Sequence, residues 1–377
     1  MTSFALRTPT EIRFGRGVAA GAAEAIAAFG PATVLVHGAN PARAGWLIDA
    51  LLARGVAITA ISCPAEPDLP MLDDALAAAR ADAPASVVGL GGGAALDLAK
   101  ALAALIPAPE GPMAYFEVVG AGKPLAAAPL PFVALPTTAG TGTEVTQNAV
   151  IGIPEAGRKV SLRSPAMLAR LALVDPALTD HCPRAVTLAS GLDALTQVIE
   201  PWLSARANSL TDALCEKAIP LGLRALATLM HAEDAQARDD MALTSLFGGL
   251  ALANAGLGAV HGLAGVLGAE TGAAHGAICG ALLPHVLAAN RTALPNDDMR
   301  QLRLATLDGW IARHLWVSPE GLAEWIRDAG LPGLGAMGLR SARIPQVAEA
   351  SAAASSMKAN PVVLPPETLR AILRAAL

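Results

Sequence analysis

At 377 residues the chain is too long for one typical core, and two domains is the natural reading. Hydrophobic residues make up 53% and charged residues 16%, which excludes a disordered chain, and a net charge of -5 with no Lys/Arg-rich run speaks against nucleic acid as a partner. Mean hydropathy is positive at +0.47, yet Asp, Lys, His or Pro breaks every apolar stretch before the roughly 20 residues a bilayer helix needs, so no membrane partner is expected.

The opening MTSFALRTPTEIRFGRG lacks a basic segment followed by an apolar run, so a cytoplasmic protein is expected. Four compact apolar runs follow: ATVLVHG (32–38), VAITAISC (56–63), SVVGLGGG (86–93) and PFVALPTT (131–138). Between them, WLIDALLARG and MLDDALAAARAD carry helical periodicity. That alternation predicts an α/β fold, a parallel sheet with helices on both faces. After about residue 178 the strand signals stop, and Ala/Leu-rich helical segments separated by Pro, Gly and Asn run to the end. The expected domains are therefore 1–178, α/β, and 179–377, all-helical, with the boundary near the Asp175-Pro176 turn.

SVVGLGGGAALDLAK places Gly91, Gly92 and Gly93 between a strand and a helix expected from about Ala94. Glycines there let backbone approach a pyrophosphate, and the free N–H groups of a helix start favour the anion. Asp97, read as lying in the first helical turn, could cap the helix and orient the loop. Gly89, Gly91 and Ala94 fit the GxGxxA dinucleotide pattern only loosely. The next strand ends in LPTTAGTGTEVTQN, where Thr137, Thr138, Thr141 and Thr143 offer hydroxyls suited to phosphates and ribose.

Cys63, Cys182, Cys215 and Cys279 show no CxxC and no metal-ligand spacing, and read as reduced, buried small apolar residues. His261 and His275 each stand in an HG pair within GAVHGLAGVLGAETGAAHGAICGALLPHV, and the neighbouring glycines are read as room for an ion or substrate. With Asp193 of GLDALTQVIE they form an N,N,O set for a divalent ion with an open position. Gln197 stands one helical turn after Asp193 on the same face, where a second ligand such as histidine would be expected.

These motifs, GGGAALDLAK, PTTAGTGTEVT, VDPALT, GLDALTQVIE and HGLAGVLG…HGAICGALLPHV, resemble the iron-containing (group III) alcohol dehydrogenases, whose superfamily includes maleylacetate reductase and glycerol dehydrogenase. The resemblance runs from EIRFGRG to ANPVVL. It implies an N-terminal parallel-sheet dinucleotide-binding domain, an all-helical C-terminal domain and an active site in the cleft between them. By motif, Gly91, Gly92, Gly93 and Asp97 would serve the pyrophosphate, Thr137, Thr138, Thr141 and Thr143 the phosphates and nicotinamide ribose, and Lys159 would lie near the cofactor. Asp193, His261 and His275 fall on ligand positions for iron or zinc and would be catalytic through the ion.

The chain departs from the family pattern at two places. The usual ligand set is Asp, His, His, His, and Gln197 takes the first histidine's place; a further histidine is often found where this chain has Gly265. Gln197 either ligates through its amide oxygen, or the site manages with three ligands as in glycerol dehydrogenase-like relatives, or no metal is used. Where the family favours NAD with an acidic residue after the first strand, this chain has Gly38, with Arg43 soon after, which points to NADP or dual use.

The expected reaction is hydride transfer between NAD(P) and a small alcohol or carbonyl substrate, in a homodimer or larger homo-oligomer. Tyr115 is followed by FEV and not by a lysine at the spacing of short-chain dehydrogenases. The alternatives are maleylacetate reductase, a lyase of the dehydroquinate synthase type, and a nucleotide-binding protein without catalysis. The first two need cationic groups for an acidic substrate, and the stretch around His261 has none.

Overall fold

The computed structural model describes residues 4–377. The chain separates into two compact units: residues 7–138 with 142–179, and residues 180–377 together with 4–6 and 139–141.

The first unit contains β1 (Ile12–Phe14), α1 (Ala22–Ala27), β2 (Ala32–His37), α2 (Gly45–Leu52), β3 (Ala57–Ser62), α3 (Leu69–Ala81), β4 (Ser86–Gly91), α4 (Gly93–Leu105), β5 (Phe132–Pro136), β6 (Asn148–Ile153), β7 (Arg158–Arg163) and β8 (Leu171–Val174). Six strands form one sheet in the order β1-β8-β5-β4-β2-β3, every neighbouring pair parallel. The strands are apolar almost throughout because both faces are covered. Val34 and Val36 of β2 point into the core shared with α3 and α4, whereas Leu35 joins the opposite core with α1 and α2. The chain reverses its direction of travel across the sheet between β2 and β4, the kind of switch point beyond which open α/β sheets bind ligands.

Sequence reading does not anticipate the antiparallel hairpin of β6 and β7, which pairs Asn148 with Arg163 through Ile153 with Arg158. Its turn relies on Gly157, at φ +58°. Lys100, on α4 and fully buried, ties the loop before this hairpin in place. Its ammonium donates to the carbonyls of Thr143 (2.6 Å), Thr146 (2.9 Å) and Asn148 (2.9 Å) and to Thr146 Oγ1 (2.9 Å). At the end of the unit, Asp175 accepts from Ala19 N and Ala177 N, both at 3.0 Å, which fixes the turn of VDPALT against the start of the chain.

The second unit contains α5 (Arg184–Leu203), α6 (Ser209–His231), α7 (Ala235–Ala255), α8 (Ala259–Thr271), α9 (His275–Ala293), α10 (Met299–Leu315), α11 (Leu322–Asp328), α12 (Ile344–Ala352) and α13 (Pro366–Ala375). Helix α5 is its axis, buried along most of its length and packed on α6, α7 and α9. Caps punctuate the chain as the polar breakers suggest: Asn208 and Thr211 form a capping box at α6, and Asp234 accepts from Ala237 N at 2.7 Å at α7. Among the described residues no single helix is long and apolar enough to cross a membrane; α7 and α8, bent by 101°, meet that test only as a pair, by length and composition.

Candidate functional site

In the helical unit, Asp193 of α5, His261 of α8 and His275 at the first position of α9 converge. His261 Nε2 lies 3.3 Å from Asp193 Oδ1, and His275 Nε2 lies 4.0 Å from the same oxygen. A fourth donor joins them. Cys279, one turn beyond His275, places its sulfur 3.7 Å from His275 Nε2, and one donor atom from each of the four residues lies within 4.8 Å of all the others. The cysteine is a correction to the sequence reading, which looked for CxxC-type spacing. Here the donors come from three helices, and the readable signal is the four-residue step from His275 to Cys279.

Glu200, also unflagged by the sequence reading, fixes the orientation of His261. Two turns along α5 from Asp193, its carboxylate accepts from Val260 N at 2.7 Å and lies 2.6 Å from His261 Nδ1. A carboxylate only accepts, so Nδ1 carries the proton and Nε2 turns a lone pair toward Asp193, His275 and Cys279. Asp193 Oδ1 and His261 Nε2 are both buried and neither has a hydrogen-bond partner. Buried polar atoms left in this state are costly. The arrangement is one a cation would satisfy.

The electrostatics agree. Beside the Cys279 sulfur, His275 is held up at about 9 against the opposing effect of burial. Burial alone would depress His261, but Cys279, Asp193 and Glu200 around it raise it well above its ordinary value. Burial would likewise raise Asp193, and its contacts with His261 and His275 reverse this, leaving it below the usual carboxylate range. The surroundings of both imidazoles favour positive charge at this point, the charge that a bound cation would supply in place of a second ring proton.

Gln197 sits one turn from Asp193, buried, with its Oε1 lacking a hydrogen-bond partner. The glycines beside the histidines have another purpose than the one read from sequence. A Cβ on Gly276 would meet Ala189 O at 2.3 Å and Asp193 Cβ at 3.1 Å, so this glycine lets α9 lie directly on α5. Gly262 gives room to the Met357 side chain. Neither opens space for a ligand.

In the sheet unit, Gly38, Gly91, Gly92, Gly93, Thr137 and Thr138 gather at the carboxyl ends of β2, β4 and β5. Thr137 N donates to Gly91 O at 2.9 Å; a Cβ on Gly91 would collide with Ala95 Cβ at 2.6 Å and approach Gly38 N to 3.4 Å. On Gly92 it would press on Thr138 Oγ1 at 3.3 Å. No side chain caps α4, whose N-cap is Gly92.

Asp97 is not where the sequence reading put it. Helix α4 starts at Gly93, which moves Asp97 into the second turn, and its Oδ2 accepts from Val150 N at 3.1 Å to bind α4 to β6. Thr143 is buried, with its carbonyl held by Lys100. Thr141 falls with the helical unit. Lys159 lies on β7, its Nζ 3.6 Å from Glu66 Oε2. Arg43 is exposed in the short turn after β2, and Asn40 braces that turn by accepting from Ala42 N at 3.1 Å.

The architecture is that of two-part proteins joining a doubly wound parallel sheet to a helical unit with a buried Asp/His metal-type cluster. Residues 9–176 match the iron-containing alcohol dehydrogenase family and residues 187–377 match the C-terminal part of the Fe-containing alcohol dehydrogenase family. The chain belongs to the iron-containing alcohol dehydrogenase family.

Among its relatives, it is 41% identical over 223 residues to long-chain-alcohol dehydrogenase 1 of Geobacillus thermodenitrificans, which covers 59% of this chain and 56% of that one. It is 32% identical over 325 residues to 1-propanol dehydrogenase PduQ of Salmonella typhimurium, covering 83% of both. Lactaldehyde reductase of Escherichia coli is 35% identical over 271 residues, 70% of each chain. The first relatives it matches are spanned over less than two thirds of their length, 62% and 56%. Over its whole length it resembles the crystal structure of a 1,3-propanediol oxidoreductase, with TM-score 0.88, 28% identity and 100% of both chains covered.

Proposed function

We propose that this protein is an NAD(P)-dependent alcohol dehydrogenase, or equally an aldehyde or ketone reductase, acting on a small substrate whose oxygen is polarised by a divalent ion. The observation that carries the reading is the pair of buried, unpartnered donors, Asp193 Oδ1 and His261 Nε2, 3.3 Å apart with His275 beside them. Asp193, His261 and His275 would hold the ion. When bound, the ion stabilises charge on the substrate oxygen and the nicotinamide supplies or takes the hydride.

The chain's own contribution is orientation. Glu200 keeps the proton of His261 on Nδ1 and so keeps Nε2 a donor of electrons. Gly276 holds α9, and with it His275, against α5. In the sheet unit, the backbone amides of Gly92 and Gly93 at the start of α4, with Gly91 at the end of β4, would receive the pyrophosphate, with Gly38, Thr137, Thr138 and Thr143 of the same unit, and Thr141, serving phosphates and ribose, and Asp97 and Lys159 bracing the loops around them. The absence of an acidic residue at Gly38, and the exposed Arg43, support NADP or dual use. The family likeness supports a homodimer or larger assembly in the cytoplasm. The relatives named above lend no support to the maleylacetate alternative.

The test is NADH and NADPH oxidation on a panel of propanal, lactaldehyde and longer aldehydes, with protein as purified, chelated, and reloaded with iron or zinc. Activity should vanish on chelation and return on reloading. Full turnover by demonstrably metal-free protein would overturn the ion's role while leaving hydride transfer intact; no turnover with either cofactor would overturn the enzyme reading.

A further inference from the structure

We propose that Cys279 is the fourth protein ligand of this metal centre, replacing the histidine that the family pattern places where this chain has Gln197, and that it turns the site's preference from iron toward zinc. The inference rests on the metal reading above and concerns which residues complete it.

Geometry is the first argument. Around a tetrahedral zinc, bonds of about 2.0 Å to nitrogen and oxygen and about 2.3 Å to sulfur imply edges of about 3.3 Å between N and O and about 3.5 Å between N and S. The His261–Asp193 edge is 3.3 Å, the His275–Cys279 edge 3.7 Å and the His275–Asp193 edge 4.0 Å, with the remaining separations within 4.8 Å. Shortening the His275–Asp193 edge by about 0.7 Å, and the remaining ones by at most roughly 1.3 Å, would bring the four donors to bonding distance, with the substrate oxygen entering as a fifth neighbour. His275 and Cys279 occupy successive turns of one helix, so the spacing of this pair is set by α9 itself.

Charge is the second. A divalent ion taken out of water is best matched by two anionic donors, and Asp193 with a Cys279 thiolate provides two where aspartate with three imidazoles provides one. Gln197 offers a neutral, hard amide oxygen that adds nothing to this balance. Thiolate is also a softer donor than imidazole and favours zinc over iron(II). The lost donor on α5 is thus replaced from α9, a different helix facing the same point.

The test uses the full-length protein stripped of metal and reloaded with zinc or cobalt(II). X-ray absorption of the zinc form should show one sulfur neighbour at about 2.3 Å among nitrogen and oxygen neighbours. The cobalt form should show a sulfur-to-cobalt charge-transfer band in the near ultraviolet. In Cys279→Ser both signatures should disappear, with zinc affinity falling by more than the roughly 10–100-fold typical of losing a residue behind a ligand. Iron(II) affinity should fall less than zinc affinity.

If Cys279→Ser does not fold, the wild-type spectra decide alone. Metal bound with no sulfur neighbour and no charge-transfer band would overturn the role of Cys279 and leave the three-residue site standing. Failure of the wild-type protein to bind either ion would overturn both.

Discussion

Glu200 touches no substrate in this reading, yet the chemistry of His261 depends on it. Replacing it with glutamine keeps the shape and an acceptor for Val260 N, but turns an N–H2 group toward His261 Nδ1. That nitrogen must then accept, which moves the proton to Nε2 and removes the lone pair a metal needs. Glu200→Gln should lower metal affinity about 10–100-fold, measured by chelator competition, with the circular dichroism spectrum unchanged. Unaltered affinity would mean that Nδ1 is not protonated by default.

A second residue, in the sheet unit, sets a pH response of its own. Burial pushes the Glu144 carboxyl up to about 7, with its own backbone N–H and Lys100 opposing the shift. Because the folded value lies above the ordinary 4.5, the folded protein retains a proton that the unfolded chain releases. The resulting stability is present in full below about pH 4.5 and is lost as pH rises through about 7. The contribution is of order 3 kcal/mol. Glu144→Gln should flatten this part of the denaturation-midpoint profile; a slope unchanged by the substitution would assign it elsewhere.

Much at this scale is visible in one sequence. The Asp193, His261 and His275 set, and the oddity of Gln197, can be read from motif and spacing. Cys279 and Glu200 were hidden for a geometric reason: each matters through residues on another helix, His261 of α8 for Glu200, and Asp193 of α5 with His261 of α8 for Cys279.

Elements are legible where they are long or strongly patterned. The strands β2, β3, β4 and β5 were expected within one or two residues at each end. β1 and β8, of three and four residues, are too short for any period to declare itself, and they owe their existence to neighbours in the sheet. The β6–β7 hairpin, which begins where the polar loop read as a ligand loop ends, was not read as strands.

Helix packing at this scale supports a paired prediction. Gly276→Ala puts a methyl 2.3 Å from Ala189 O, so α9 must leave α5 and carry His275 away from Asp193. It should cost about 1–3 kcal/mol of stability and most of the metal affinity. Gly265→Ala, with nothing within 4 Å of the new methyl and a helical backbone, should instead stabilise by about 1 kcal/mol. Thermal denaturation of the two variants side by side checks both, and equal effects would refute the packing argument.

For the whole molecule, composition and the order of strand and helix signals were enough for the α/β and helical character of the two halves. The strand order was not. Nothing local in β2 or β4 says that they lie side by side while β3 takes the edge; that follows from the crossovers and from which faces the helices cover. Gly38 and Gly91 adjoin because of that order alone.

The enclosure of Lys100 has a practical corollary. Its amine is sealed in the sheet unit, while Lys123, Lys217 and Lys358 are exposed. An acetylating reagent should therefore modify those three within minutes and reach Lys100 only when that unit opens. Mass spectrometry of this single peptide would act as a clock for opening, and a bound nucleotide should slow it; labelling of Lys100 in step with the exposed amines would mean the seal is not there in solution.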